Sequence, residues 1–224
     1  MTEQLRAGAP PNWQFGDDWP RLSAIADVVE GEGIPLAWVP RGDIVLALVH
    51  AEEIEARRGI LADREADILL DCSSCLDDTD CVELAEFVEN AREAVGTFEA
   101  GYPRAAQALA AVVLDAALRL LFADPDFSYG GVKRQLADVW DNAPLREMRS
   151  ALVLAAVPGA LEQFWTHRGD PVPVRFNRHA SAHTVHVEQY TRTNALVAIM
   201  TITSLLRETQ ESAWYDPDAE QSAS

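Results

Sequence analysis

Apolar positions recur at helical spacing along most of the chain, and the strict alternation that a half-buried strand needs is missing. The first amphipathic run, "SAIADVVE" (Ser23–Glu30), predicts a short helix opened by a serine. "GIPLAWVPRGD", with its prolines and glycines, predicts a connector. Asp43 is placed to cap a helix through "IVLALVHAEEIEARRGIL", whose pattern continues to about Leu70, and "DCSSCLDDTDC" (Asp71–Cys81) interrupts it. Asp80 followed by Glu83 is a capping-box spacing that opens "VELAEFVENAREAV". Gly101 and Pro103 punctuate the chain before "RAAQALAAVVLDAALRLLF", a helix apolar enough to be central. "DPDFSYGG" predicts a loop, Val132–Trp140 a short helix, and Asn142 with Pro144 the start of "LREMRSALVLAAV", which Pro158 ends. His167–Asn177 reads as a loop, and the last helix runs from about Ala180 to Arg207. The expected architecture is all-α: an N-terminal helical region (1–79), a helical bundle (80–208), and an acidic, disordered tail (209–224) in which Trp214 and Tyr215 are ordinary terminal residues.

Composition narrows the class. At 224 residues and 48% hydrophobic content, the chain can bury a full core. No apolar run reaches the roughly 18 residues of a membrane span. The first twenty residues lack a basic stretch followed by an apolar one, so the cytoplasm is the expected location and no membrane partner is expected. The net charge is −18, but unevenly distributed. Residues 1–132 hold 9 basic and 25 acidic side chains, whereas 133–207 hold 9 basic and 6 acidic. General affinity for nucleic acid is excluded by that acidity, because phosphate binding rests on basic contacts; a local positive site is not. Cys72, Cys75 and Cys81 are odd in number and lack a second Cys/His pair at zinc spacing, which favours reduced thiols at a helix end. Glu52, Glu53 and Glu55 beside Arg57 and Arg58 read as a solvated helix face with pairs such as Glu53–Arg57.

Within the positive part lies "RFNRHASAH" (Arg175–His183), and four of the five histidines fall in residues 167–186. Arg178 brings a planar fork that fits phosphate, and His183 brings an imidazole, a side-chain type suited to proton transfer. A helix start near Ala180 would add free N–H groups and a positive dipole end. Together these are the parts for phosphodiester cleavage without a metal or other cofactor: imidazole moves protons, and guanidinium stabilises the charge on phosphorus. Asn177, Arg175, Lys133 and Arg134 are candidate contacts to RNA phosphates, the last two from "YGGVKR".

The stretch "RHASAH", with Arg178, a polar His179 and then His183 opening a late helix, resembles the signature of the HEPN superfamily of small helical-bundle proteins. The resemblance covers about Asp80–Arg207 and leaves 1–79 without a counterpart. It implies a metal-independent endoribonuclease of a toxin–antitoxin or phage-defence type, acting as a homodimer on RNA, with an antitoxin or other protein partner possible in such a system. Arg178 would stabilise the scissile phosphate, His183 would act as general acid/base, and His179 would position or assist. The apolar run Asn194–Leu206 is expected to serve both the core and the dimer interface.

Three other readings of the same residues stand beside this one. "NRHASAH" can be a polar helix start, capped by Asn177 or Ser181, with half-buried histidines. His179, His183 and His186 fall at i, i+4 and i+7 and could hold zinc, although the stripe lacks a carboxylate. The bundle can also be a non-catalytic interaction module.

Overall fold

The computed structural model describes the backbone of residues 8–16, 18–122, 128–142, 144 and 147–212, and the side chains of all of these but 137–142. It is all-helical, a helical bundle without strands among the described residues. The order is α1 (Leu22–Glu32), α2 (Gly42–His50), α3 (Ile54–Asp63), α4 (Glu65–Asp77), a 3₁₀ turn (Val82–Leu84), α5 (Ala85–Glu99), α6 (Pro103–Leu121), α7 (Tyr129–Asn142), α8 (Met148–Ala155), α9 (Val157–Ala160), a 3₁₀ turn (Thr166–Arg168), α10 (Arg178–His183) and α11 (Arg192–Glu211).

α6 and α11 form the centre. α5 and α11 pack on α6, and α11 also rests on α4. Leu114 and Leu118 of α6, Phe98 of α5, and Ile199 and Leu206 of α11 belong to one buried cluster that runs from Trp13 to Leu206 and draws on both 1–79 and 80–208. Every residue of α11 from Asn194 to Leu206 is buried. That corrects the expectation that this run also offers an interface, since the core uses every face of it.

Two long helices expected from the apolar pattern are each divided. A straight helix over 44–70 would span about 40 Å, beyond the width of a small domain. Instead the chain turns at Ala51–Glu53 and again at Arg64. The first turn is held by Arg57, whose Nε donates to Leu48 O (3.1 Å) and Ala51 O (2.8 Å), satisfying carbonyls at the end of α2. Arg57 is buried and ion-paired with Glu32, so the expected solvated Glu53–Arg57 face is corrected at that residue. The helical pattern then continues through "DCSSC" to Asp77, where an interruption was expected, and the three cysteines are free thiols. The Asp80–Glu83 capping box does not form. The amides of Asp80 and Cys81 donate instead to Gln210 Oε1 on α11 (2.8 and 2.9 Å), and the Glu83 carboxylate accepts from Cys81 Sγ.

The second division separates α10 from α11. Residues 184–191 leave the helix, and Thr191 caps α11 by accepting from the Asn194 amide (3.1 Å). Tyr129–Gly131, expected in a loop, form the first turn of α7. Of the expected loop before it, 123–127 lie outside the described residues, as does 213–224 of the tail with Trp214 and Tyr215; residues 209–211 end α11.

Candidate active site

α10 is only six residues long, too short to be stable on its own. Asn177 caps it: Oδ1 accepts from the Ala180 amide (2.7 Å), while Nδ2 donates to Glu162 O (2.9 Å). Beneath it lies a buried amide network. Gln189 Oε1 accepts from the Asn177 amide (3.1 Å), and Gln189 Nε2 donates to Pro173 O (2.9 Å) and Arg175 O (3.0 Å). From α6, Gln107 Nε2 donates to Ser181 Oγ (2.9 Å) and Gln189 Oε1 (3.1 Å). The Tyr190 hydroxyl donates to Ser181 O. Gln107, Asn177 and Gln189 are fully buried, so the bonds among them and to Ser181 and Ala180 are shielded from water, and the whole network fixes where α10 points.

Two groups of side chains flank the helix. On one side Arg178 is 17% exposed, ion-paired to Asp115 of α6 (2.9 Å), with its guanidinium 4.8 Å from the centre of the Tyr129 ring. The Tyr129 hydroxyl donates to Asp115 Oδ1, and Arg119 Nε donates to Asp115 Oδ2 (3.3 Å). Burial pushes the Asp115 carboxyl up, but the Tyr129 hydroxyl, Arg178 and Arg119 outweigh it and hold the group below its usual range. On the other side the His179 and His183 rings are 4.5 Å apart. His179 also meets Trp165 edge-on at 5.0 Å, and Trp165 in turn meets His167 at 5.6 Å and the Arg168 guanidinium at 5.2 Å. His183 is exposed. Residues four apart share a helix face, which explains the histidine pair. Arg178 and His183, five apart, are about 140° apart around an ideal helix, so within one chain they flank α10 without facing each other.

His179 is held below its ordinary pKa, first by burial, then by the nearby His183 and Arg178, with the Phe164 backbone acting the other way. Its Nδ1 is buried without a hydrogen-bond partner. The neutral ring is therefore favoured. A depressed folded pKa means that the unfolded chain binds the proton more readily. The stability that His179 contributes is complete above the unfolded value of about 6.5 and is lost as the pH falls through the lower folded value. Melting curves from pH 8 to pH 5 should therefore fall less steeply for His179→Phe than for the parent, and parallel curves would refute the assignment.

The other expected contacts lie elsewhere. Asn177 is consumed by capping and is corrected from RNA contact to structural support. Arg175 donates to Gly31 O (2.9 Å) and Glu162 (2.6 Å), tying α1 to the segment before α10. α7 brings Tyr129 to the cluster; Lys133 is half-buried, and Arg134 is exposed with Nε donating to Gly130 O (3.3 Å). His186 lies in the 184–191 loop beside Glu188, so the three-histidine stripe does not exist, and the described residues form no group of three potential metal ligands. α10 is also too short to present a helix-end anion site, and its Asn177 cap already takes up the Ala180 amide.

Sequence reasoning missed Asp115, Arg119, Tyr129, Trp165 and Arg168. One signal was present: Asp115 is the lone carboxylate in a largely apolar helix, a position that calls for a cationic partner. Comparison with family models, curated proteins and solved structures returns no match.

Proposed function

We propose that the protein is a metal-independent endoribonuclease of HEPN type. The observation that carries the reading is the exposed His183 in ring contact with His179, with Arg168 on the same side of α10 and Arg119 and Arg178 on the other, in a chain that is otherwise strongly acidic. In this mechanism His183 takes the proton from the ribose 2′-hydroxyl, whose oxygen attacks phosphorus. The bond to the 5′-oxygen breaks, and that oxygen receives a proton from the His183 imidazolium formed by taking up the 2′-hydroxyl proton. Arg178, exchanging Asp115 for phosphate, stabilises the charged phosphorus. His179, favoured neutral, assists as the second imidazole.

Because Arg178 and His183 flank α10 without converging, the complete site is proposed to form between two copies. α11 has no face to give, so the apolar surface available beside the site is Val112 on α6 (64% exposed) with Val185 (89%) and Val187 in the loop after α10. The proposed setting is a cytoplasmic defence or toxin–antitoxin system in which a protein partner restrains the nuclease. Among the described residues no helix is long and apolar enough to cross a membrane.

A second reading has its own support. Arg178 is already satisfied by Asp115 and Tyr129, as a structural arginine in a non-catalytic interaction module would be. Purified protein incubated with a mixed-sequence RNA and excess chelator separates the two. Cleavage leaving 2′,3′-cyclic phosphate ends is expected; intact RNA beside well-folded protein leaves the interaction module.

A further inference from the structure

We propose a second binding site, away from the histidines, for a small monocarboxylate with an apolar tail. A pocket of about 320 Å³ lies between α1, α3, the segment before α10, and the start of α11. Its floor is apolar, made by the buried Ile34, Leu61, Phe176 and Val197. Arg58 lines it as well. Among the described residues Arg58 is the one half-buried arginine without a carboxylate partner. Only its Nη2 is engaged, donating to Asn194 Oδ1 (3.2 Å) and Thr191 Oγ1 (3.5 Å).

The two carboxylates at the pocket are both neutralised. Glu32 is paired with the buried Arg57, and Glu162 with Arg175. The remaining charge is the single positive one of Arg58. A half-buried guanidinium whose Nε and Nη1 donate to no protein acceptor can hold a carboxylate oxygen by a charge-assisted hydrogen bond. The apolar floor and the lone cation select against phosphate, which carries more charge and no apolar part. The volume is at the small end of ligand pockets, which limits the tail to a medium alkyl chain or a single aromatic ring. The chemistry is therefore that of a medium-chain or arylalkyl carboxylic acid. None of Arg178, His179 and His183 lines this pocket, so the inference stands apart from the nuclease reading.

Octanoate and 4-phenylbutyrate, titrated into the full chain by calorimetry, are the probes. Saturable binding with a dissociation constant on the order of 0.1–1 mM is expected for ligands of this size. Octanol and octylamine should bind at least about tenfold more weakly, because neither offers the anion. Arg58→Gln should lose a similar factor, and Arg58→Lys should recover part of it. Val174→Trp, at an exposed rim position, should block both probes without touching Arg58, which keeps the test valid if Arg58→Gln folds poorly. Absence of saturable binding to the folded parent overturns the proposal. So does undiminished octanoate affinity in Arg58→Gln or in Val174→Trp. Tighter binding of a short peptide with a free apolar C-terminus than of either probe also overturns it, by making the ligand a chain end.

Discussion

His183→Ala is expected to lower RNA cleavage by about 10²–10⁴-fold, the usual worth of a positioned proton-transfer group. Its melting temperature should stay within a few degrees of the parent, because the side chain is exposed and an exposed truncation changes stability by roughly 0.5 kcal/mol or less. Arg178→Lys should fail as an enzyme as well. Lysine keeps the charge but loses the planar fork that can hold phosphate at two points and stack on Tyr129. Here the fold is not indifferent. Arg178 is mostly covered and bound to Asp115, so a loss of about 1–2 kcal/mol is expected. The pair of measurements is diagnostic because the two variants differ in stability and agree in activity. In an interaction module the pattern is different: the parent cleaves nothing, His183→Ala changes nothing, and Arg178→Lys shows only the loss of stability. Cleavage and melting run on the same three samples decide between them.

The all-helical class is legible in the sequence because α6 and α11 carry their apolar residues at helical spacing, and no alternating run competes. Where the helices stop is less legible, and the reason lies in single side chains. Nothing local marks Ala51–Glu53 as a break; the turn exists because Arg57 reaches back to Leu48 and Ala51, a decision made by tertiary contact. The gap between α10 and α11 depends in the same way on Gln189, whose amide binds backbone groups of 173, 175 and 177. The motif itself was readable, since Asn177 is a good cap and the histidines are clustered. Its surroundings were not, because Asp115, Tyr129 and Trp165 lie between 14 and 63 positions from the α10 residues they touch, Arg178 and His179. Trp38 is harder still. A tryptophan at φ 69 is a conformation no sequence pattern announces.

Glu208→Ala is expected to be the most destabilising single change, at about 3–5 kcal/mol, the cost of breaking a buried ion pair from one side. Glu208 is fully buried near the end of α11, and three side chains converge on it. Trp38 Nε1 donates to Oε2 (2.8 Å), Arg149 Nε donates to Oε2 (2.8 Å), and the Ser150 hydroxyl donates to Oε1 (2.5 Å). The guanidinium groups of Arg149 (4.9 Å) and Arg207 (5.0 Å) both lie over the Trp38 ring. Its unusual backbone is held by Asn12, whose Oδ1 accepts from the Trp38 amide (2.9 Å) while Nδ2 donates to Leu36 O (3.1 Å) and Pro40 O (2.6 Å). Alanine at 208 leaves a charged Arg149, an indole N–H and a hydroxyl without their acceptor, and it removes what ties the segment around Trp38 to α8 and α11. For a chain of this size each kcal/mol moves the melting temperature by about 2–4 °C, so a drop of roughly 6–20 °C is expected. Glu208→Gln keeps the shape and one acceptor oxygen and should lose less, about 1–3 kcal/mol. Thermal melting of the parent and both variants, followed by tryptophan fluorescence, reads the order directly. An alanine variant that melts within about 2 °C of the parent would show that the carboxylate does not hold the N-terminal segment to the bundle.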